Sequence, residues 1–420
     1  MELKQDLYII PLSKGNLIYS PLRRGMFWAN DEASQIVQHY LKGDKDSLVQ
    51  ADNPVVKYIK QLEKITVDVP QQDSEKFNKN SLVVIPSQIC NLACSYCYAH
   101  KAHSGEYIID KSMLAIVYDY ILRGKDKNKY FTFIGGGEPM TAWSLLKWSF
   151  DYITSHKANN NVFFNITTNA TLFNEDIISS VKRYDVHINV SSDILKEVQD
   201  MQRPFQNNNK SSFDIIHKNI RLLDENDIPY SIRSTITLNN VSLMPKMVQF
   251  AVENYHNLKS MHFEPVTGHV KTGSEYYNEY IDSFFQARII AKSHGIDLHN
   301  SITRSVFNIS ERSCNGEMCI TPTGHIVACH RVSSMKDSHF NEFCYGKVTE
   351  TGIEILTDKY KNFLRLSNKK GKNCKQCFAH WHCTGICPIE QVTLTEEQLK
   401  SRCEFIREII KKILLENLNK

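Results

Sequence analysis

The sequence contains no apolar run approaching the roughly 20 residues that a membrane-spanning helix needs, which argues against a membrane protein. Charge bias is also missing: 50 basic against 46 acidic residues leave a net charge of +4. That balance singles out neither nucleic acid nor an anionic surface as a partner. The opening MELKQDLYIIPL lacks the charged n-region and long apolar h-region of an export signal, so a cytoplasmic protein is expected. No internal repeat or extended low-complexity tract is present, although NNNK at 207–210 marks an exposed loop. What remains is ordinary globular material, 42% hydrophobic and 23% charged over 420 residues. This suits a barrel-sized domain with one or two smaller ones.

Cysteine is where the composition departs from the ordinary. Twelve cysteines without an export signal read as metal ligands, because the cytosol keeps thiols reduced. Three lie between 90 and 97, and the other nine fall after 313.

From Leu82 onward, apolar β-branched runs alternate with amphipathic stretches, the pattern of repeated βα units around a parallel sheet. Strands are expected at 82–89, 130–134, 162–167, 186–191, 230–237 and 261–266. Helices are expected near 110–123, 141–156, 174–183, 212–226, 242–254 and 276–293. Six units over about 210 residues make a partial (β/α)6 barrel, with its chemistry on loops at the C-terminal strand ends. The first 78 residues read as a separate small α+β, winged-helix-like module. Three short strands (LYIIPL, NLIYS, MFWA) precede helices in DEASQIVQHYLKG and NPVVKYIKQLEK. Polar DVPQQDSEKFNKNS is a linker into a barrel domain at 79–295. A cysteine-rich domain follows at 296–420 and closes with an amphipathic helix over 396–418.

The segment CNLACSYCY places Cys90, Cys94 and Cys97 in C-x3-C-x2-C spacing on a loop leaving the first strand. Three such thiolates can hold three irons of a cubane and leave the fourth iron open. A zinc site would need a fourth nearby ligand, for which only His100 and His103 are available. Together with GGGEP at 135–139, the triplet resembles the radical S-adenosylmethionine (SAM) superfamily. In that family the open iron chelates the methionine moiety of SAM, and reduction yields a 5′-deoxyadenosyl radical. The resemblance implies SAM contacts from Tyr98 beside the adenine, from Gly135, Gly136, Gly137 and Glu138, and from Asn169 in TTNAT. It also implies contacts from Ser191 in NVSSD and from Arg203 or Arg233.

The later cysteines, with Cys314, Cys319, Gly324 and Cys329 followed by C-x2-C-x5-C-x3-C and Cys403, resemble the SPASM domain of radical SAM maturases over roughly 310–406. That resemblance implies two auxiliary 4Fe-4S clusters, three clusters in all. One takes Cys314, Cys319, Cys329 and Cys387, and the other Cys374, Cys377, Cys383 and Cys403. Cys344 is left over and reads as a small buried hydrophobe. His330, Trp381 and His382 stand beside cluster cysteines as candidates for tuning or packing.

The expected activity is that of a radical SAM oxidoreductase acting on a peptide. It would abstract hydrogen from a precursor peptide and install a C-C, C-O or thioether cross-link near Glu264 and His262, the candidate catalytic residues. The N-terminal module is similar in element order to the PqqD-like element that takes a leader peptide as an added strand. The implied partners are that precursor peptide and an electron donor such as flavodoxin or ferredoxin, with no nucleic acid and no membrane. Two alternatives stand beside this. One is a sulfatase maturase generating formylglycine, although relatives of that type carry aspartate where this chain has His330. The other is a small-molecule radical SAM dehydrogenase, which would dispense with residues 1–78.

Overall fold

A computed structural model describes residues 1–44, 52–70, 79–99, 107–267 and 272–418. Most of the linker expected at 68–81, together with His100 and His103, lies outside them.

Strands β1 (Tyr8–Pro11), β2 (Asn16–Ser20) and β3 (Gly25–Ala29) form an antiparallel meander in that order. Its first turn requires Gly15, at φ +68°, where a Cβ would sit 2.5 Å from the Ala29 carbonyl oxygen. The helix Asp31–Lys42 starts on an Asn30 side chain that accepts from the Ala33 amide, and it stops at left-handed Gly43. A second helix, Pro54–Lys64, buries Val56, Ile59 and Leu62 at helical spacing. Ile59 and Leu62 pack with Leu7, Ile18 and Val37 into a small core on one face of the meander. The other face behaves differently. Ile10, Leu17 and Tyr19 alternate out of that core and join the main core of the protein. The module is therefore docked, and the Tyr19 hydroxyl lies 2.7 Å from His382 Nε2 in the cysteine-rich domain.

Six strands follow the linker: β4 (Ser81–Val84), β5 (Asn128–Phe133), β6 (Asn161–Thr168), β7 (Val186–Ser191), β8 (Tyr230–Ile236) and β9 (Leu258–Pro265). All are parallel, and each is followed by a helix close to where the apolar periodicity places one. A short seventh parallel strand, β10 (Asp297–His299), adds to β9. Period-2 alternation gives this sheet two unlike faces. Phe131, Ile166, Ile188, Ile232 and Phe263 are buried toward the helices. The register pairs Thr132 with Asn165, Asn189 with Ser231, Ser191 with Arg233, and Arg233 with His262 on the opposite face. The inner face is thus polar, which suits an open barrel that holds a ligand rather than a packed core.

On its other side β4 pairs with β11 (Cys319–Ile320), and the antiparallel strands β12 (His325–Val327), β13 (Cys344–Thr349) and β14 (Gly352–Ile355) continue from it. One sheet of eleven strands therefore runs from the barrel into the cysteine-rich domain. Spacing alone did not suggest this continuity, because β11 has only two residues and gives no periodic signal. The closing helix, Glu396–Leu418, lies where its amphipathic pattern predicts and packs on the long helix Ser274–Ser293. Among the described residues no helix is long and apolar enough to cross a membrane.

Candidate functional site

The loop carrying Cys90, Cys94 and Cys97 leaves β4 and is held along its length by a distant segment. The Ala93 amide donates to the Pro204 carbonyl at 2.8 Å, Ser95 to Gln202 at 2.9 Å, and Gln206 to Asn91 at 3.0 Å. This pairing carries Arg203 against the thiols. Burial pushes Cys90 up to about 12 and Cys97 up to about 11; the charges of Cys94 and Cys97 add to the first, and that of Cys94 to the second. Buried thiols of this kind stay protonated until a metal displaces their protons.

Arg203 is itself buried. Its Nη1 donates to the Tyr96 hydroxyl at 2.9 Å, and that hydroxyl donates to Asp193 Oδ2 at 2.8 Å. Gln202 adds a 3.0 Å bond to the same oxygen. Arg203 Nε and Asp193 Oδ1 are buried without a protein partner. An unpaired cation donor and an unpaired carboxylate acceptor beside three thiols suit a zwitterionic ligand bound on a cluster. Tyr96, Gln202 and Asn91 were not singled out from the sequence; the CSYC spacing that exposes the cysteines also contains Tyr96.

The three glycines pack closely on the cysteine loop. A Cβ on Gly137 would lie 2.1 Å from the Ile89 carbonyl oxygen, and one on Gly136 2.4 Å from Ile85 Cγ2. Gly135 and Gly136 are left-handed, at φ +82° and +72°. The turn after β5 therefore presses directly on the backbone that leads into Cys90, and the Glu138 amide donates to Ile89 O at 2.8 Å. Glu138 is buried. Oε1 accepts from the Met140 amide and from Thr168 Oγ1 at 3.0 and 2.6 Å, and Oε2 accepts from the Asn169 amide at 2.7 Å. Oε2 keeps acceptor capacity for an ammonium group. Asn169 in turn clasps Asn91 at 2.9 Å, which ties the loop after β6 to the cysteine loop.

Tyr98 ends the cysteine loop with its ring partly exposed, edge-on to His330 at 6.1 Å between centroids and 6.0 Å from the Arg331 guanidinium. His330 Nδ1 lies 2.9 Å from both Glu317 oxygens. Ser191 and Arg233 face each other across β7 and β8, and Arg233 Nη1 is 3.4 Å from His262 Nδ1. Arg203 and Arg233 thus serve different places: the first stands beside the cysteine loop, the second at the far strands.

Glu264 is heavily engaged. Its Oε2 lies 2.6 Å from His262 Nε2 and accepts from Ser301 N at 3.1 Å and Ser301 Oγ at 2.8 Å; Arg402 approaches Oε1 at 3.9 Å. Burial alone pushes this carboxyl up, but the His262 bond and charge, with Arg233 and Arg402, outweigh it and hold it well below the usual carboxylate range. The geometry makes Glu264 an electrostatic hub rather than a free proton acceptor. A group with a depressed folded pKa contributes stability above its unfolded value, about 4.3 for Glu, and loses it as pH falls toward the folded value. Wild-type protein is therefore expected to lose stability below about pH 4.3 more steeply than Glu264→Gln. Urea unfolding at stepped pH reads this, and parallel curves would refute it.

The remaining cysteines separate by mutual influence. Cys314 and Cys329 each feel Cys387, and Cys319 feels Cys329. Cys403 feels Cys383, Cys374 and Cys377. Thr384, Gly385 and Ile386, all at positive φ, turn the chain sharply between Cys383 and Cys387, so that neighbours in sequence face different groups. Four thiolates are the usual donor set of an iron-sulfur cluster. Cys344 is buried among Val83, Ile85, Cys319 and Val327.

Residues 84–251 match the model of the Radical SAM superfamily. The uncharacterized protein MJ0907 of Methanocaldococcus jannaschii is 32% identical over 184 residues, which are 44% of this chain and 61% of that protein. This chain therefore spans under two thirds of that relative. The cysteine-type anaerobic sulfatase-maturating enzyme of Clostridium novyi is 22% identical over 340 residues, 73% of this chain and 87% of that enzyme. Among solved structures, native anSMEcpe with bound AdoMet and Kp18Cys peptide aligns with a TM-score of 0.69 at 18% identity, covering 81% of this chain and 99% of that one. Streptococcus suis SuiB aligns with a TM-score of 0.52 at 12% identity, covering 95% and 98%. At such identities the structural likeness speaks for the fold alone.

Proposed function

We propose that this chain, which carries a radical SAM domain across residues 84–251, is a maturase that installs an oxidative cross-link in a precursor peptide. The observation that carries the reading is the docked N-terminal meander. Its outer strands β1 and β3 have no further strand partner among the described residues, and its inner face is fastened to the cysteine-rich domain through Tyr19 and His382. A free strand edge anchored on the cysteine-rich domain is what recognition by strand addition needs. The anSMEcpe alignment leaves about a fifth of this chain outside, whereas the SuiB alignment extends over most of it.

Cys90, Cys94 and Cys97 would hold the SAM-binding cluster, with Arg203, Asp193, Glu138 and the glycine turn shaping the pocket. Tyr98, Asn169, Ser191 and Arg233 would supply further contacts to SAM. When bound, cluster and SAM supply a 5′-deoxyadenosyl radical that takes hydrogen from a substrate carbon. The residues of the chain orient that carbon and exclude competing quenchers. Cys314, Cys319, Cys329 and Cys387 would hold one auxiliary cluster, and Cys374, Cys377, Cys383 and Cys403 the other.

A second reading, oxidation of a peptidyl cysteine as in sulfatase maturation, is favoured by the alignment over 87% of the Clostridium novyi enzyme. One anaerobic assay separates the two. Reconstituted enzyme is given SAM, dithionite and either short precursor peptides or a cysteine-containing sulfatase-type peptide, and 5′-deoxyadenosine and peptide mass are followed together. Loss of two hydrogens with sulfur retained supports cross-linking, and loss of the thiol sulfur supports the second reading. Deoxyadenosine without any peptide change would sink both.

A further inference from the structure

The segment leading to the second thiol group reads NKKGKNCKQC, so Lys369, Lys370, Lys372 and Lys375 surround Cys374. Lys369, Lys372 and Lys375 are exposed, and Lys370 leans on Glu311 at 3.7 Å. A lysine-rich loop is by default a solvated surface. This one differs because its exposed turn packs beside a sulfur: a Cβ added at Gly371 would lie 3.7 Å from Cys374 Sγ, and the Cys374 amide donates back to Gly371 O at 3.1 Å. Cys374 is itself only partly buried. On the protein side, Arg407 stands one helical turn beyond Cys403 and its charge acts on both Cys377 and Cys403. The first group has no such surplus. There a Glu317 oxygen lies within 4.8 Å of Cys329 Sγ, and Glu390 sits beside Cys387, countering Arg312 and Arg331.

We propose that the lysine loop 368–376 is the docking surface for an acidic one-electron carrier protein, which exchanges its electron with the cluster held by Cys374, Cys377, Cys383 and Cys403. The inference rests on the radical SAM reading with auxiliary clusters. The exchange balances simply: the carrier is oxidised by one electron as the cluster is reduced by one, with no atom transferred. Exposed lysines over the site complement an acidic face, accelerate encounter and make it salt-sensitive.

The test uses full-length reconstituted enzyme and, as probe, a photoreduced flavodoxin of net negative charge, with cluster bleaching followed by anaerobic stopped flow across ionic strength. K369E/K372E/K375E is expected to be reduced about tenfold more slowly at low salt, with a flatter salt dependence. A control reversal on the barrel helices, K182E/K218E, keeps the wild-type rate. Dithionite reduces all three proteins alike. Wild-type rates with flavodoxin in the triple variant would overturn the docking surface. So would an equal loss with dithionite, since the lysines would then be holding the cluster rather than a partner. Iron content checks assembly, and K369Q/K372Q/K375Q repeats the measurement if charge reversal lowers it. A wild-type enzyme that cleaves no SAM with dithionite would instead overturn the functional reading itself.

Discussion

Gly137→Ala is expected to lower reductive SAM cleavage by about 100-fold, the scale of loss that follows a displacement of about 1 Å in a positioned site. The added methyl would meet three backbone atoms: Ile89 O at 2.1 Å, Ile89 C at 2.6 Å and Gln88 C at 2.7 Å. None of these can rotate away as a side-chain tip would. Relief has to come from moving either the turn after β5 or the backbone that feeds Cys90. Either motion breaks the 2.8 Å bond from the Glu138 amide to Ile89 and shifts the carboxylate that holds Asn169. The control is Gly273→Ala: that glycine has φ −122°, and a methyl there meets nothing within 4 Å among the described residues. It should cleave SAM at the wild-type rate. 5′-Deoxyadenosine release under dithionite measures both, and full activity in Gly137→Ala would mean that the turn yields without disturbing the cysteine loop.

This glycine also shows where sequence reasoning stops short. GGGEP after a strand is visible as a motif, and flexibility toward a ligand is the natural inference from it. Only the fold reveals that the tight approach is to Ile89, because contact between two loops far apart in sequence leaves no local pattern. The strands read well for the opposite reason. In Val186–Ser191 the alternation of Val, Ile and Val with His, Asn and Ser records one greasy and one polar face, and the bounds agree with the expectation at 186–191. The helix Glu396–Leu418 was equally legible, since twenty-three residues of amphipathic period leave little room for another structure. What could not be read was pairing between distant pieces: Ala93 with Pro204, β11 with β4, and the face of the meander that turns from its own helices toward His382. Each rests on one or two residues whose own propensities are silent.

The same limit hid the bridge at Arg402, where the second large effect is expected. This guanidinium, in the closing helix, is buried between Glu390 and Glu264, with Nη2 at 3.1 Å from Glu390 Oε1 and Nε at 3.3 Å from Oε2. It joins the barrel strand β9 to the cysteine-rich domain through charge rather than packing. Replacing it by methionine strands the Glu390 carboxylate in a dry site, and breaking one side of a buried pair costs about 3–5 kcal/mol. Arg402→Met should therefore lower unfolding free energy in urea by that amount. Removing both charges in Arg402→Met/Glu390→Met should recover most of the loss, because the desolvation cost goes with the pair. Glu264 can tolerate the change, since His262 and Ser301 still hold it at 2.6 and 2.8 Å. Arg402 directly precedes Cys403, so the single variant is also expected to lose iron while the double variant keeps it. If the two variants proved equally unstable, the bridge would be acting through the bulk and hydrogen bonds of arginine rather than through its charge. That would also remove the electrostatic link between the barrel mouth and the second thiol group.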